Sequence, residues 1–182
     1  MTRRHIISVI GDGYLPEGSQ NYILAERLGR SLVDNGYRVL SGGLGGVMEA
    51  VSKGAKSSAN YKEGDIIGIL PGYDPGKANK HIDIAIATGL DHTRNAIVAN
   101  GDAVVAIGGG AGTLSEISFA WILKRLIIAY KVEGWSGELS GRKIDRTIRY
   151  EDMPEDRVFS VTSEQEVIEL LKNIPKYSKR HN

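Results

Sequence analysis

Three clusters of glycine, each directly after a short apolar run, limit what this chain can fold into more than any other feature. They stand at Gly11 and Gly13, at Gly42 to Gly46, and at Gly108 to Gly112. With 23 glycines in 182 residues, about twice the usual share, a disordered or collagen-like chain would spread or repeat them. Here they sit at turn positions.

The runs before them read as strands. Ile6 to Ile10 is short and β-branched, as expected of a strand buried on both faces. Tyr37 to Leu40, Asp65 to Leu70, Ile82 to Ala87, Ala103 to Ile107, Leu126 to Ala129 and Val158 to Val161 follow. Between them, helical spacing predicts helices over Ser19 to Asn35 (Ile23, Leu24, Leu28, Leu32 and Val33 inward), from Val47 to Ala55, over Arg94 to Asn100, from Leu114 to Ile122 and over Ser163 to Asn173. On the helix after Gly112, the inward residues are expected to be Leu114, Ile117, Ser118, Trp121 and Ile122. Lys131 to Glu155 is polar and irregular, and Ile174 to Asn182 reads as a basic, solvated tail.

Strands alternating with helices imply one doubly wound, Rossmann-like α/β domain over residues 1–173, with a mostly parallel sheet and helices on both faces. In such sheets ligands bind outside the carboxyl ends of the strands. All three glycine clusters then share one rim, and one site built from several loops is the economical reading.

Composition removes several function classes. The formal net charge of +1 gives no field to attract a polyanion, so a nucleic-acid polymer is not an expected partner. The absence of cysteine excludes disulfides, cysteine zinc sites, iron–sulfur clusters and a thiol nucleophile, and points to a reducing, cytoplasmic compartment. The longest apolar runs, such as Ile117–Leu123, fall far short of the roughly 20 residues that cross a bilayer, and the run after Arg3 and Arg4 breaks at Gly11 before reaching signal-peptide length. No membrane partner is expected. His5, His81, His92 and His181 have no ligand spacing, so no metal site is expected. No cofactor is expected either.

Gly108, Gly109, Gly110, Ala111, Gly112 and Thr113 join a buried strand to a helix. Their backbone N–H groups and the helix N-terminus can converge on one anion, with phosphate the natural guest. The pattern is neither Walker A nor Gly-x-Gly-x-x-Gly. Thr113 and Glu116 have two readings: a capping box closing the helix, or a carboxylate one turn into the helix, close enough to a bound nucleotide's sugar to act on its glycosidic carbon. Arg94 is a surface charge taken alone. On this rim it becomes a contact for phosphate or leaving group, because guanidinium bonds in a planar, bidentate way. Gly42, Gly43, Gly45 and Gly46 open the helix bearing Glu49, which either meets a ribose hydroxyl or is solvated. Gly11 and Gly13 are the least specific cluster, and Asp12 between them would repel phosphate unless it faces the ribose or a cation.

At these residues the chain resembles the LOG-like branch of the SLOG superfamily. The diagnostic loop stands as Gly108-Gly109-Gly110-Ala111-Gly112-Thr113-Leu114-Ser115-Glu116, with Arg94-Asn95 upstream, and Ser41 to Glu49 resembles the family's earlier glycine motif. The likeness covers about the first 130 residues. It implies a Rossmann-type fold, a homodimer or higher homo-oligomer, and a phosphorylated small-molecule partner such as a nucleoside monophosphate. Some members are phosphoribohydrolases that cut the base from a nucleoside 5′-monophosphate, with catalytic residues matching Arg94 and Glu116. Others, the molybdenum cofactor carrier proteins, share the loops but bind a pterin cofactor or an oxyanion without breaking a bond. Gly108 where hydrolases carry Pro, Asn95 where they carry Lys, and Gly134-Trp135 lean towards the carrier-like subgroup. Nothing supports decarboxylation, because no lysine is marked as a pyridoxal anchor.

Overall fold

The computed structural model describes residues 3–177. Seven strands form one sheet in the order β4-β3-β2-β1-β5-β6-β7, every neighbouring pair parallel. They are β1 (Ile6–Gly11), β2 (Arg38–Ser41), β3 (Ile66–Leu70), β4 (Ile84–Ala87), β5 (Ala103–Ile107), β6 (Leu126–Tyr130) and β7 (Val158–Val161). The helices are α1 (Gln20–Asp34), α2 (Val47–Lys56), α3 (Asn95–Val98), α4 (Ala111–Ile122), α5 (Trp135–Leu139) and α6 (Glu164–Leu171). This is the doubly wound α/β architecture expected from the alternation.

Alternate strand residues serve two cores. Ile7, Val9, Val105, Ile107 and Ile128 face α1, α2 and α6, while Ile10, Val104, Ala106 and Ile127 face α3 and α4. Both cores are needed because β1, β5 and β6 are covered on both sides, which is why they read as unbroken apolar runs. The strand order reverses direction between β1 and β5. A crevice opens at such a switch point because the two following connections leave on opposite faces.

Several expectations change. Helix α4 buries Thr113, Glu116, Ile117, Ala120 and Trp121 and leaves Ile122 65% exposed. Its inward face is therefore one residue out of step with the apolar pattern, because the polar Thr113 and Glu116 occupy inward positions at the rim. In α1, Leu28, Leu32 and Val33 are buried as expected, but in the first turns Tyr22 and Ala25 point inward and Ile23 is exposed. The segment after β6 is not all irregular, since it contains α5.

Ile174–Tyr177 does not begin a solvated tail either. It closes as one turn of 3-10 helix with Ile174 and Tyr177 buried. Tyr177 packs edge-on against Tyr150 at 5.2 Å and donates its hydroxyl to Asp156 at 2.9 Å. Residues 178–182, the rest of the expected tail, lie outside the described residues. No described helix is long and apolar enough to cross a membrane.

Candidate functional site

A cavity of about 260 Å³ lies at the switch point. Its back wall is the end of β1, at Val9, Ile10 and Gly11. Gly42, Leu44 and Met48 form one side, His92, Arg94 and Asn95 another, and Gly110, Gly112, Thr113 and Glu116 of the α4 entrance complete it. Four connections meet here: those after β2, β1 and β5 because these strands are adjacent and parallel, and the one from β4, which carries Arg94 across to β5.

Helix α4 starts at Ala111 behind Gly110, three residues earlier than a capping box at Thr113 requires. No side-chain cap bond forms, so the capping reading of Thr113 and Glu116 does not hold. The first N–H groups of a helix have no acceptor within it, and the dipole adds partial positive charge there. Gly110 and Gly112 point their missing side chains into open space at the cavity. Thr113 is buried against Gly109, where an added Cβ would lie 2.1 Å from the Thr113 hydroxyl oxygen.

Freed from capping, Glu116 turns inward. Its carboxylate lies 3.7 Å from the Arg94 guanidinium, and each side chain is 10% exposed. That separation is an ion pair without a hydrogen bond. Burial raises the Glu116 carboxyl to about 7, against the smaller lowering by Arg94. Burial also lowers the Arg94 guanidinium, partly offset by Glu116 and Asp91. The Arg94 Nε is buried with no hydrogen-bond partner. A desolvated donor and a carboxyl close to half-ionised at neutral pH, held side by side but not bonded, are ready for a third group.

Arg94 reaches this place through two local devices. The turn before it bends through Gly89 at φ +64° and Asp91 at φ +48°, a left-handed conformation that is uncommon outside glycine. The other device is Gly42, where a Cβ would lie 2.7 Å from Arg94 Nη2 and 2.7 Å from Met48 Sδ. This glycine makes room for arginine. Asn95, standing where the hydrolase pattern has lysine, accepts from Arg94 Nη1 at 3.3 Å and donates to Ser115 Oγ at 2.8 Å, tying α3 to α4.

Of the residues singled out in the sequence, Gly11, Gly13, Gly42, Arg94, Gly110, Gly112, Thr113 and Glu116 line the cavity together. Gly43, Gly45, Gly46 and Glu49 do not line it, and neither do Gly108, Gly109 or Ala111. Gly43 and Gly46, with φ of +76° and +65°, are packed against Gly68 and against the Asp12–Gly13 backbone. Asp12 is turned towards Gly108 and Asn21. The sequence reading passed over Leu44, Met48 and His92. Their signal was their position beside the glycine loop and Arg94 on the shared rim.

Comparisons with known proteins agree with this architecture. The model of the SLOG cluster4 family matches residues 4–168. A protein of Archaeoglobus fulgidus is 44% identical over 115 residues, which is 63% of this chain and 72% of that protein. Among solved structures, the molybdenum cofactor binding protein of Rippkaea orientalis is 33% identical with a TM-score of 0.78, over 96% of this chain and 99% of its own. The molybdenum cofactor carrier protein of Chlamydomonas reinhardtii is 27% identical with a TM-score of 0.75, over the same shares. DNA processing protein A of Helicobacter pylori, 15% identical with a TM-score of 0.61 over 93% of this chain and 80% of its own, shares the fold. With a family match over most of its length, this chain belongs to the SLOG cluster4 family.

Proposed function

We propose that this protein binds a nucleoside 5′-monophosphate, or a ligand of the same build, and hydrolyses its N-glycosidic bond. The phosphate lies on the N-terminus of α4, at Gly110, Gly112 and Thr113, and the sugar lies towards Glu116. The observation that carries this reading is Glu116 itself: uncapped, facing the cavity beside Arg94, with a carboxyl raised to about 7. A carboxylate titrating near the working pH suits general acid–base catalysis. Water oxygen bonds to the anomeric carbon as the bond to the base nitrogen breaks, and the bonding electron pair leaves with the base. Glu116 takes the proton from the water and returns one to the departing nitrogen. Its negative charge also favours the oxocarbenium-like transition state. Arg94 orients the phosphate or steadies the leaving base.

The test is incubation with AMP, GMP, CMP and UMP, following free base and ribose 5-phosphate, with Glu116→Gln in parallel. The expected result is release from the wild type and a loss of about 10²–10⁴-fold in the variant, with affinity little changed. Folded protein that binds nucleotides but releases no base would sink the hydrolase reading.

A second reading is a carrier that holds a molybdenum-pterin or oxyanion and breaks no bond. It is favoured by the likeness to the molybdenum cofactor binding protein of Rippkaea and the molybdenum cofactor carrier protein of Chlamydomonas and by Gly108. That residue has φ +63°, which proline, fixed near −65°, does not adopt. The loop therefore departs from the hydrolase pattern in backbone as well as in sequence.

We also infer that the protein self-associates. Ile84 and Ile86 on the edge strand β4, Ile97 of α3 and Ile122 of α4 are 43–65% exposed, and the unpaired, apolar edge of β4 in particular favours an interface. A dimer is expected by light scattering, with Ile86→Lys shifting it towards monomer. A wild-type protein that stays monomeric at high micromolar concentration would refute this.

A further inference from the structure

The loop at the cavity is held from behind by the chain that follows β6. Ser136 is fully buried, and its Oγ accepts from the Gly108 N–H at 2.8 Å while its hydroxyl donates to the Tyr130 carbonyl at 2.8 Å. The Ser136 N–H donates to the Gly108 carbonyl at 3.0 Å, and the Trp135 N–H to the Gly109 carbonyl at 2.9 Å. Gly134 adopts φ +106° and lies flat against the same peptide, where a Cβ would come within 2.8 Å of Gly108 C and Gly109 N.

These bonds set directions as well as positions. In a trans peptide the N–H points opposite to the carbonyl of the preceding residue. With the Gly108 and Gly109 carbonyls fixed towards α5, the N–H groups of Gly109 and Gly110 are turned away from it. Gly108 and Gly109, with φ of +63° and +94°, are the residues with most freedom to flip. Left unbraced, they would present carbonyls and N–H groups to an anion in turn.

We propose that Ser136 is a positioning residue for the anion loop: without touching the ligand, its hydroxyl ties the start of α5 to the Tyr130 carbonyl and the Gly108 N–H. The main-chain N–H groups of Trp135 and Ser136 are thereby held where they fix the two glycine carbonyls, so that the opposite donors are aimed before the ligand arrives. This rests on reading the N-terminus of α4, just after these two peptides, as the phosphate site. A hydroxyl that only satisfied two buried groups would lower stability when removed and leave affinity alone. One that sets donor direction lowers affinity as well, because the loop must then be ordered on binding.

The experiment titrates AMP into full-length wild type, Ser136→Ala and Ser136→Thr by calorimetry, with urea unfolding of each. Ser136→Ala is expected to bind about tenfold more weakly, and Ser136→Thr, which keeps the hydroxyl, to recover most of the difference. Wild-type affinity in Ser136→Ala overturns the proposal. Amide exchange in the unliganded wild type tests it without a variant and without AMP binding. The Gly108 amide is expected to exchange at least about tenfold more slowly than that of Gly110, and equal rates overturn the proposal. A wild type that binds no AMP counts against the phosphate-site reading instead, and the exchange comparison still decides the brace.

Discussion

Asp156→Ala is expected to destabilise the protein by about 3–5 kcal/mol, the usual cost of leaving one member of a buried ion pair uncompensated. Asp156 receives Arg149 in a bidentate arrangement, Nε to Oδ2 and Nη2 to Oδ1, both at 2.7 Å. The Arg149 and Asp156 residues are 5% and 6% exposed. The same guanidinium donates to the Trp121 and Arg125 carbonyls and lies 3.8 Å from the centre of the Trp121 ring. It thus pins the chain before β7 to the end of α4. Without Asp156, a buried cation loses its counter-charge and the Tyr177 hydroxyl loses its acceptor. Urea unfolding measures the effect, and a loss under about 1 kcal/mol would show that the charge finds water or a new partner. The double change Arg149→Met with Asp156→Leu is expected to recover much of the loss, because it removes the desolvated charges together.

Glu116→Gln is expected to be more stable than the wild type at pH 8, by about 3 kcal/mol, and nearly equal to it at about pH 4. Burial raises the folded carboxyl from 4.5 to about 7. Between those values the native protein keeps a proton that the unfolded chain has released. Wild-type stability therefore falls as pH rises through that window and levels off above it. Glutamine has no proton to lose and no such slope. Urea unfolding at pH 4, 5, 6, 7 and 8 for both proteins checks this, and parallel curves would place Glu116 in contact with water. Stability gained with turnover lost is the expected signature of a group kept charged at a cost for its chemistry. If Glu116 acts as the base, activity rises with pH through about 7 as the carboxyl ionises.

Much of the architecture was legible before the structure because its signals are local. Apolar runs of five residues, helical spacing and glycine at strand ends are short-range consequences of backbone sterics and burial. They sufficed to place three loops on one rim. The phase of α4 was misread because Thr113 and Glu116 take inward positions that a count of apolar residues assigns elsewhere. The role of residues 131–155 was illegible for another reason. Ser136 meets Gly108 across 28 positions of chain, and Arg149, in a stretch that reads only as polar and irregular, meets Asp156 just beyond its end.

The sequence by itself thus determined a doubly wound parallel sheet with its glycine loops on one edge, since each βαβ unit closes by local geometry and a fixed hand. Only the tertiary structure decided that Glu116 faces Arg94 instead of capping its own helix, that Gly42 makes room for a guanidinium, and that Ser136 bonds to Gly108 in the loop before α4. Those outcomes depend on which groups are desolvated together. Desolvation is a property of the space around a residue, and its chain neighbours do not specify it.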